Sequence, residues 1–220
     1  MAQQERAVRT RRAVLEAAAV VFAEHGYAAA TVSDILKVAG VTKGALYFHF
    51  DSKEALARGV LQAQTAYAVP PQDLKVQEWV DTGLLLAHRL PQDPVVQAGA
   101  VLSSDPRGRE HYGSAWPAWV DLSAQMLIEA KERGEILSHV VPRQTAELVV
   151  GAFHGIQLFS QLEHGLADVE RRIAALYDHV MPSITVPAVL TRLDLAPDRG
   201  ARLFAEAVCI PQPDLVDSTG

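Results

Sequence analysis

Asparagine is missing altogether from these 220 residues, cysteine occurs once, and aromatic residues make up only 6% of the chain. The single Cys209 excludes an intrachain disulfide framework and suits a reducing compartment; it reads as a small buried hydrophobe near the C-terminal end. No apolar run approaches the ~18 residues that a membrane-spanning helix needs, and no charged-then-apolar leader opens the chain. A cytoplasmic protein without a membrane partner is therefore expected. Alternating apolar and polar residues of useful length are lacking too, which leaves no candidate strand. HExxH, GxSxG, Walker and GxGxxG motifs do not occur, so the common metallopeptidase, hydrolase and nucleotide-binding chemistries have no footing. The eight histidines show no i, i+4 pair and no cysteine neighbour. No catalytic residue, metal site or cofactor is expected.

What remains is rich in helix signals. With 49% hydrophobic residues the chain can bury a sizeable core. Its net charge of −6 is unevenly spread: residues 1–65 hold eight Lys/Arg against six Asp/Glu, and residues 66–220 hold twelve against twenty. A mildly basic head on an acidic body is compatible with nucleic acid, because only the local potential at the phosphates matters.

The most informative stretch runs from Thr31 to Phe50, TVSDILKVAGVTKGALYFHF. Val32, Ile35, Leu36 and Ala39 recur at helical spacing, and Thr31 with Asp34 three residues later forms a capping-box start. Gly40 suits the left-handed end of that helix, Val41 plugs inward, and Thr42 caps a second helix through Leu46 to His49. Two helices joined by so short a turn predict a helix-turn-helix whose second helix enters the major groove. Thr42, Lys43, Gly44, Tyr47 and His49 form its outward face: a hydroxyl, a cation, bare backbone and planar rings, as phosphate and base-edge contacts require. A plain packing corner would carry solvated charges there instead.

Flanking segments complete a head. Arg6, Arg9, Arg11 and Arg12 form a basic stretch over residues 1–12, open to reading as a frayed end or as a phosphate-contacting arm. A first helix is expected from Arg9 to His25, with Val14, Ala17, Ala18, Val21 and Phe22 inward and Gly26 as its end; Tyr27 reads as core. Asp51 is expected to cap a fourth helix that runs to about Ala68, where Pro70 and Pro71 stop it.

Thr31, Ile35, Ala39-Gly40-Val41-Thr42, Gly44, Tyr47, His49-Phe50 and Lys53-Glu54 together resemble the N-terminal signature of TetR-family repressors. The run GVTKGALYFHF, Gly40 to Phe50, is most similar to the γ-butyrolactone-receptor branch. The resemblance implies an all-α homodimer that holds double-stranded DNA at a palindromic operator. It implies phosphate contacts from Thr31, Ser33 and Lys53, and a small hydrophobic effector, not a cofactor, bound by the remainder of the chain. Residues 1–64 would be the DNA-binding domain, 65–210 the ligand-binding and dimerisation domain, and 211–220 a disordered tail, with the boundary near Gln62 to Ala66.

The remainder reads as helices over Val76–Leu90, Pro94–Ser103, Ala115–Arg133, Arg143–His164, Val169–Met181, Pro187–Leu193 and Pro197–Val208. Pro91, an Asp105–Gly113 loop, Gly134, Gly165 and Pro182 separate them. Arg143–His164 is apolar nearly all round and must be covered on more than one side, by its own domain and by a second subunit. Trp119 stands in register with Leu122, Met126 and Ala130 on an inward stripe. It reads either as core or as a pocket wall, and the lactone receptors carry a ligand-binding tryptophan at what looks like this position. Trp116, beside Pro117, reads as peripheral. Gln64 at the end of the connecting helix, and Phe153, His154 and Gln157 on the apolar helix, complete the candidate pocket; the polar ones read equally well as satisfied core groups. Two alternatives stay open: a TetR-like regulator or pseudo-receptor answering a different lipophilic compound such as an antibiotic, and a helical small-molecule carrier or enzyme.

Overall fold

In a computed structural model, residues 2–64 and 69–208 are described, and among them every regular element is a helix. Cys209, expected as a small buried hydrophobe, the tail 211–220 and the connecting segment 65–68 lie outside these residues.

The first four helices build the head. Helix α1 (Ala2–Ala29) starts well before Arg9, so the basic stretch is helical, with Arg6 and Arg9 exposed. Gly26 ends its long first segment as expected: at φ 69, ψ 172 it leaves helical geometry, a conformation open to glycine, and a short further turn follows to Ala29. Helix α2 (Val32–Ala39) is capped by Thr31, whose Oγ1 accepts from the Asp34 amide at 3.1 Å and donates to Asp34 Oδ2 at 2.6 Å. Gly40, at φ 63, closes it with its N–H on the Leu36 carbonyl. Helix α3 (Lys43–His49) is capped by Thr42, which accepts from the Ala45 amide at 3.3 Å. Helix α4 (Lys53–Ala63) is capped by Ser52 and not by Asp51: the Ser52 hydroxyl accepts from Ala55 N at 3.1 Å, three residues on, while Asp51 stays exposed one position too early.

The body follows with α5 (Lys75–Arg89), α6 (Pro94–Ser103), α7 (Arg109–Tyr112), α8 (Trp116–Glu132), α9 (Pro142–His164), α10 (Val169–Ile184), α11 (Pro187–Leu190) and α12 (Arg199–Val208). Two expectations are corrected. The Asp105–Gly113 loop contains α7, stapled by the Tyr112 hydroxyl on the Leu102 carbonyl at 3.3 Å. Pro182 does not end α10, which continues to Ile184; the ring sits on the solvent side, where a carbonyl deprived of its amide partner can be hydrated.

Two apolar cores result. One joins Val14, Ala18, Phe22, Ile35, Leu46, Leu56 and Val60 of the head to Val95, Ala98 and Leu102 of α6 and to Tyr112 and Ala115. The other gathers Trp79, Leu84, Val96, Leu127, Ile173, Tyr177 and Met181. Helix α6 therefore belongs to both, with Val95 and Val96, consecutive in sequence, on opposite sides. A buried polar cluster fixes α12 against α5. The Asp81 carboxylate, wholly buried, accepts from Arg199 at 2.7 and 3.0 Å and from the Gln77 amide at 2.7 Å.

Candidate DNA-reading surface and ligand pocket

Helix α3 presents its reading face because Leu46 and Phe50 are drawn into the head core, which turns the intervening positions outward. Thr42, Lys43 and Gly44 are exposed, Tyr47 is 40% exposed, and His49 is half-buried. The Lys43 ammonium lies 5.9 Å from the Tyr47 ring centre, at the outer limit of a cation–ring contact. Ser33 is exposed at the start of α2, and Thr31, also exposed, spends its hydroxyl on the cap already described.

Lys53 does not join this face. Its Nζ donates to the carbonyl oxygens of Tyr27 at 2.7 Å and Ala30 at 2.9 Å, and sits 4.3 Å from the Tyr27 ring centre. It ties off the unbonded carbonyls at the end of α1, as a cation at a helix C-terminus is placed to do. The next residue, Glu54, takes bonds from its own amide, the Ser52 hydroxyl and the Tyr27 phenol, which hold its carboxyl down at about 2. Burial, with Glu54 beside it, pushes the Tyr27 phenol up to about 12.

Phe48 is the residue that the sequence reading passed over. It is 79% exposed in the middle of α3, edge-on to His49 with ring centres 5.0 Å apart. The signal was available: two residues from inward Leu46 is roughly 200° around a helix, which puts Phe48 outside. A bare phenylalanine among polar readers suits apolar contact with a thymine methyl.

The body holds a partly open cavity of about 80 Å³. Of the expected pocket residues, Gln64, Trp119, Phe153, His154 and Gln157 line it. Leu122 and Met126 do not. The inward stripe of α8 is Val120, Ala124, Leu127 and Ala130, and the pocket edge is Trp116, Trp119 and Ser123, one shoulder round from it. The Met126 sulfur instead packs 3.9 Å from the Thr82 hydroxyl, whose proton is given to the Glu78 carbonyl at 2.8 Å. Trp116 is thus a wall and not peripheral, and Trp79, 2% exposed on α5, is a third tryptophan in the lining that sequence reasoning missed. All three tryptophans of the chain face this one space.

The polar inventory of the wall is short. Gln64 is 5% exposed, and its carboxamide lies where a Cβ on Gly99 would overlap it, so glycine there makes room for the glutamine. The His154 ring is edge-on to Trp116 with centres 4.8 Å apart and lies 3.4 Å from the Ser104 hydroxyl; burial pushes its pKa below the usual imidazole range. Among the described residues no Asp, Glu, Lys or Arg lines the cavity, although the Arg109 guanidinium sits 5.4 Å from the Trp116 ring centre nearby. Among the described residues no group of three or more His, Cys, Asp or Glu is arranged to hold a metal ion.

The wall also reaches the head. Val96, Gly99, Ala100 and Ser103 of α6 line the cavity, while Val95, Ala98 and Leu102 of the same helix pack into the head core. Helix α4 meets α7 through Arg58, which donates to the His111 carbonyl at 3.1 Å, and α1 meets α7 through the Tyr27 and Tyr112 rings, 4.6 Å apart.

On the outer side of α9, Leu148, Leu158, Phe159 and Leu162 are 65, 48, 52 and 75% exposed, in line with exposed Gly151 and Gly155. Among the described residues no helix is long and apolar enough to cross a membrane.

Residues 14–60 match the sequence profile of bacterial regulatory proteins of the TetR family. The chain is similar to the A-factor receptor protein of Streptomyces griseus, with 39% identity over 94% of this chain and 80% of that protein. It superposes on TylP, a TetR regulator from Streptomyces fradiae, with a TM-score of 0.86 and 40% identity over 92% of this chain and 99% of that one. A γ-butyrolactone receptor described as ArpA-like aligns at 26% identity and a TM-score of 0.62, over 91% of this chain and 99% of that one. Head, cavity-bearing helical body and relatives agree, and the chain belongs to the TetR family of bacterial transcriptional regulators.

Proposed function

We propose that the protein is a homodimeric repressor that holds a palindromic operator and releases it when a γ-butyrolactone, or a related butenolide or furan, fills the cavity. The ligand class rests on the relative named as a γ-butyrolactone receptor, beside one named as the A-factor receptor, and on a largely apolar, aromatic wall with no Asp, Glu, Lys or Arg among the described residues. Residues 1–64 act as the reading domain and 65–210 as the sensing and dimerising domain. Thr42, Lys43, Gly44, Tyr47, His49 and Phe48 meet the operator, with Thr31 and Ser33 on phosphates. The exposed apolar stripe of α9, an unfavourable surface for a monomer, is covered by the same helix of a second copy; this sets two reading helices to two half-sites. The protein works in the cytoplasm and catalyses no reaction.

The observation that carries the switch is the double allegiance of α6. A ligand pressing on Val96, Gly99, Ala100 and Ser103 displaces the helix whose other face is built into the head core. Cores do not stretch, so the head follows α6 and the spacing of the two reading helices changes. A ligand that prefers the displaced arrangement shifts the population towards it. Coupling of about 1–3 kcal/mol per site weakens operator binding roughly 5- to 150-fold.

The test is Trp119→Ala in an operator gel shift with alkyl-γ-butyrolactones. The variant keeps operator affinity and loses release by ligand. A variant released like the wild type would refute the pocket's role.

A further inference from the structure

Tyr177, on α10, combines three properties that no structural role accounts for. It is 2% exposed, its hydroxyl has no hydrogen-bond partner among the described residues, and it lines the cavity. Its ring is held edge-on against Trp79, with centres 5.5 Å apart at 84°. The hydroxyl lies over Gly83, where a Cβ would overlap it. Gly83 also lines the cavity, so the phenol oxygen lies at its wall where α5 carries no side chain. Phenylalanine would fill the same volume, so the hydroxyl adds a donor at the cavity wall that packing does not need. The nearest charge is that of Asp81, which is already committed to Arg199 and Gln77, and together with burial it keeps the phenol protonated and able to donate.

We infer that Tyr177 is a ligand-recognition residue, whose hydroxyl donates to an uncharged acceptor oxygen, a carbonyl or ring ether, on the effector. The inference rests on the pocket reading above and deepens it. The oxygen is uncharged because, among the described residues, no Lys or Arg lines the cavity to pair with an anionic ligand. The site requires both partners, Tyr177 for the donor and Gly83 for the room beside it.

The probes are γ-decalactone and hexylcyclopentane, which share a five-membered ring and a hexyl chain but differ in the lactone oxygens. Because every tryptophan of the chain lines the cavity, intrinsic fluorescence reports binding of either compound without DNA. The wild type should bind the lactone more tightly. Tyr177→Phe should weaken lactone binding about five- to tenfold, as loss of one hydrogen bond does, and leave the hydrocarbon unchanged. Without ligand, Tyr177→Phe should melt at or above the wild-type temperature. An unchanged preference for the lactone in the variant overturns the inference and leaves the pocket reading standing. So does a clear drop in melting temperature, which would mean that the hydroxyl is already satisfied inside the protein. Silence of the wild type towards both compounds overturns the pocket reading itself and this inference with it.

Discussion

The head and the body of this chain solve opposite problems. The head fills its core completely: Val14, Phe22, Ile35, Leu46 and Leu56 are wholly buried or nearly so, and its unspent chemistry, Lys43, Tyr47 and Phe48, stands on the outside. The body keeps its unspent chemistry inside, around a cavity walled by three tryptophans, with Gln64 and Tyr177 facing it. A surface that reads a long polymer needs only a rigid support, whereas a sensor of a small molecule must leave room within its own core. Helix α6 is where the two solutions touch, because one of its faces is head and the other is cavity wall.

The contrast can be broken at several points. The largest effect is expected on the outside of the head. Phe48→Ala should lower operator affinity by about tenfold or more without changing the melting temperature, since the ring supports nothing within the fold. Loss of stability instead, measured by thermal unfolding, would place Phe48 in the architecture. Gly99→Leu should next show how the two regions are joined. It displaces Gln64, fills the cavity and presses on α6 as a ligand would, so fluorescence titration with alkyl-γ-butyrolactones shows no binding and operator affinity falls without any ligand, roughly 5- to 150-fold.

Lys53→Met should act as an internal change in spite of its charge. Removing the two bonds to the end of α1 costs about 1.5–3 kcal/mol, seen as a lower melting temperature. A variant that melts like the wild type and only binds DNA less well would return Lys53 to the phosphate backbone. The smallest effect is a pH dependence from His154. Burial lowers its folded pKa, so the unfolded chain takes up a proton that the folded protein resists. Stability is therefore present above the ordinary imidazole range and falls as pH drops through it towards the lowered value. The fall in melting temperature between neutral and mildly acidic pH should shrink in His154→Gln; an equal fall in both proteins would remove His154 from the linkage.

What was legible in the sequence was what local chemistry decides. Thr31, Gly40 and Thr42 cap their helices through neighbours at most four residues away, and a periodic stripe sufficed to place Val14, Ala18 and Phe22 inside. The bonds of Lys53 were not legible, because its partners, Tyr27 and Ala30, lie 26 and 23 residues back, beyond any local pattern. The pocket was half legible. Trp119 and Gln64 were found by resemblance and by position, but the choice between Met126 and Ser123 depended on how far α8 is rotated. Trp79 and Tyr177 come from helices distant in sequence that only packing unites. The Gly83 and Gly99 openings, which make room for Tyr177 and Gln64, carry no sequence signal at all, since each sits in a helix where glycine is merely tolerated.

The most direct measurement follows both regions in one sample. Protein bound to a fluorescein-labelled palindromic operator is titrated with alkyl-γ-butyrolactones while tryptophan emission reports the cavity and anisotropy reports the operator. The expected result is that anisotropy falls to the value of free DNA as the tryptophan signal saturates. A tryptophan signal that saturates while the operator stays bound would contradict the coupling of cavity to head through α6.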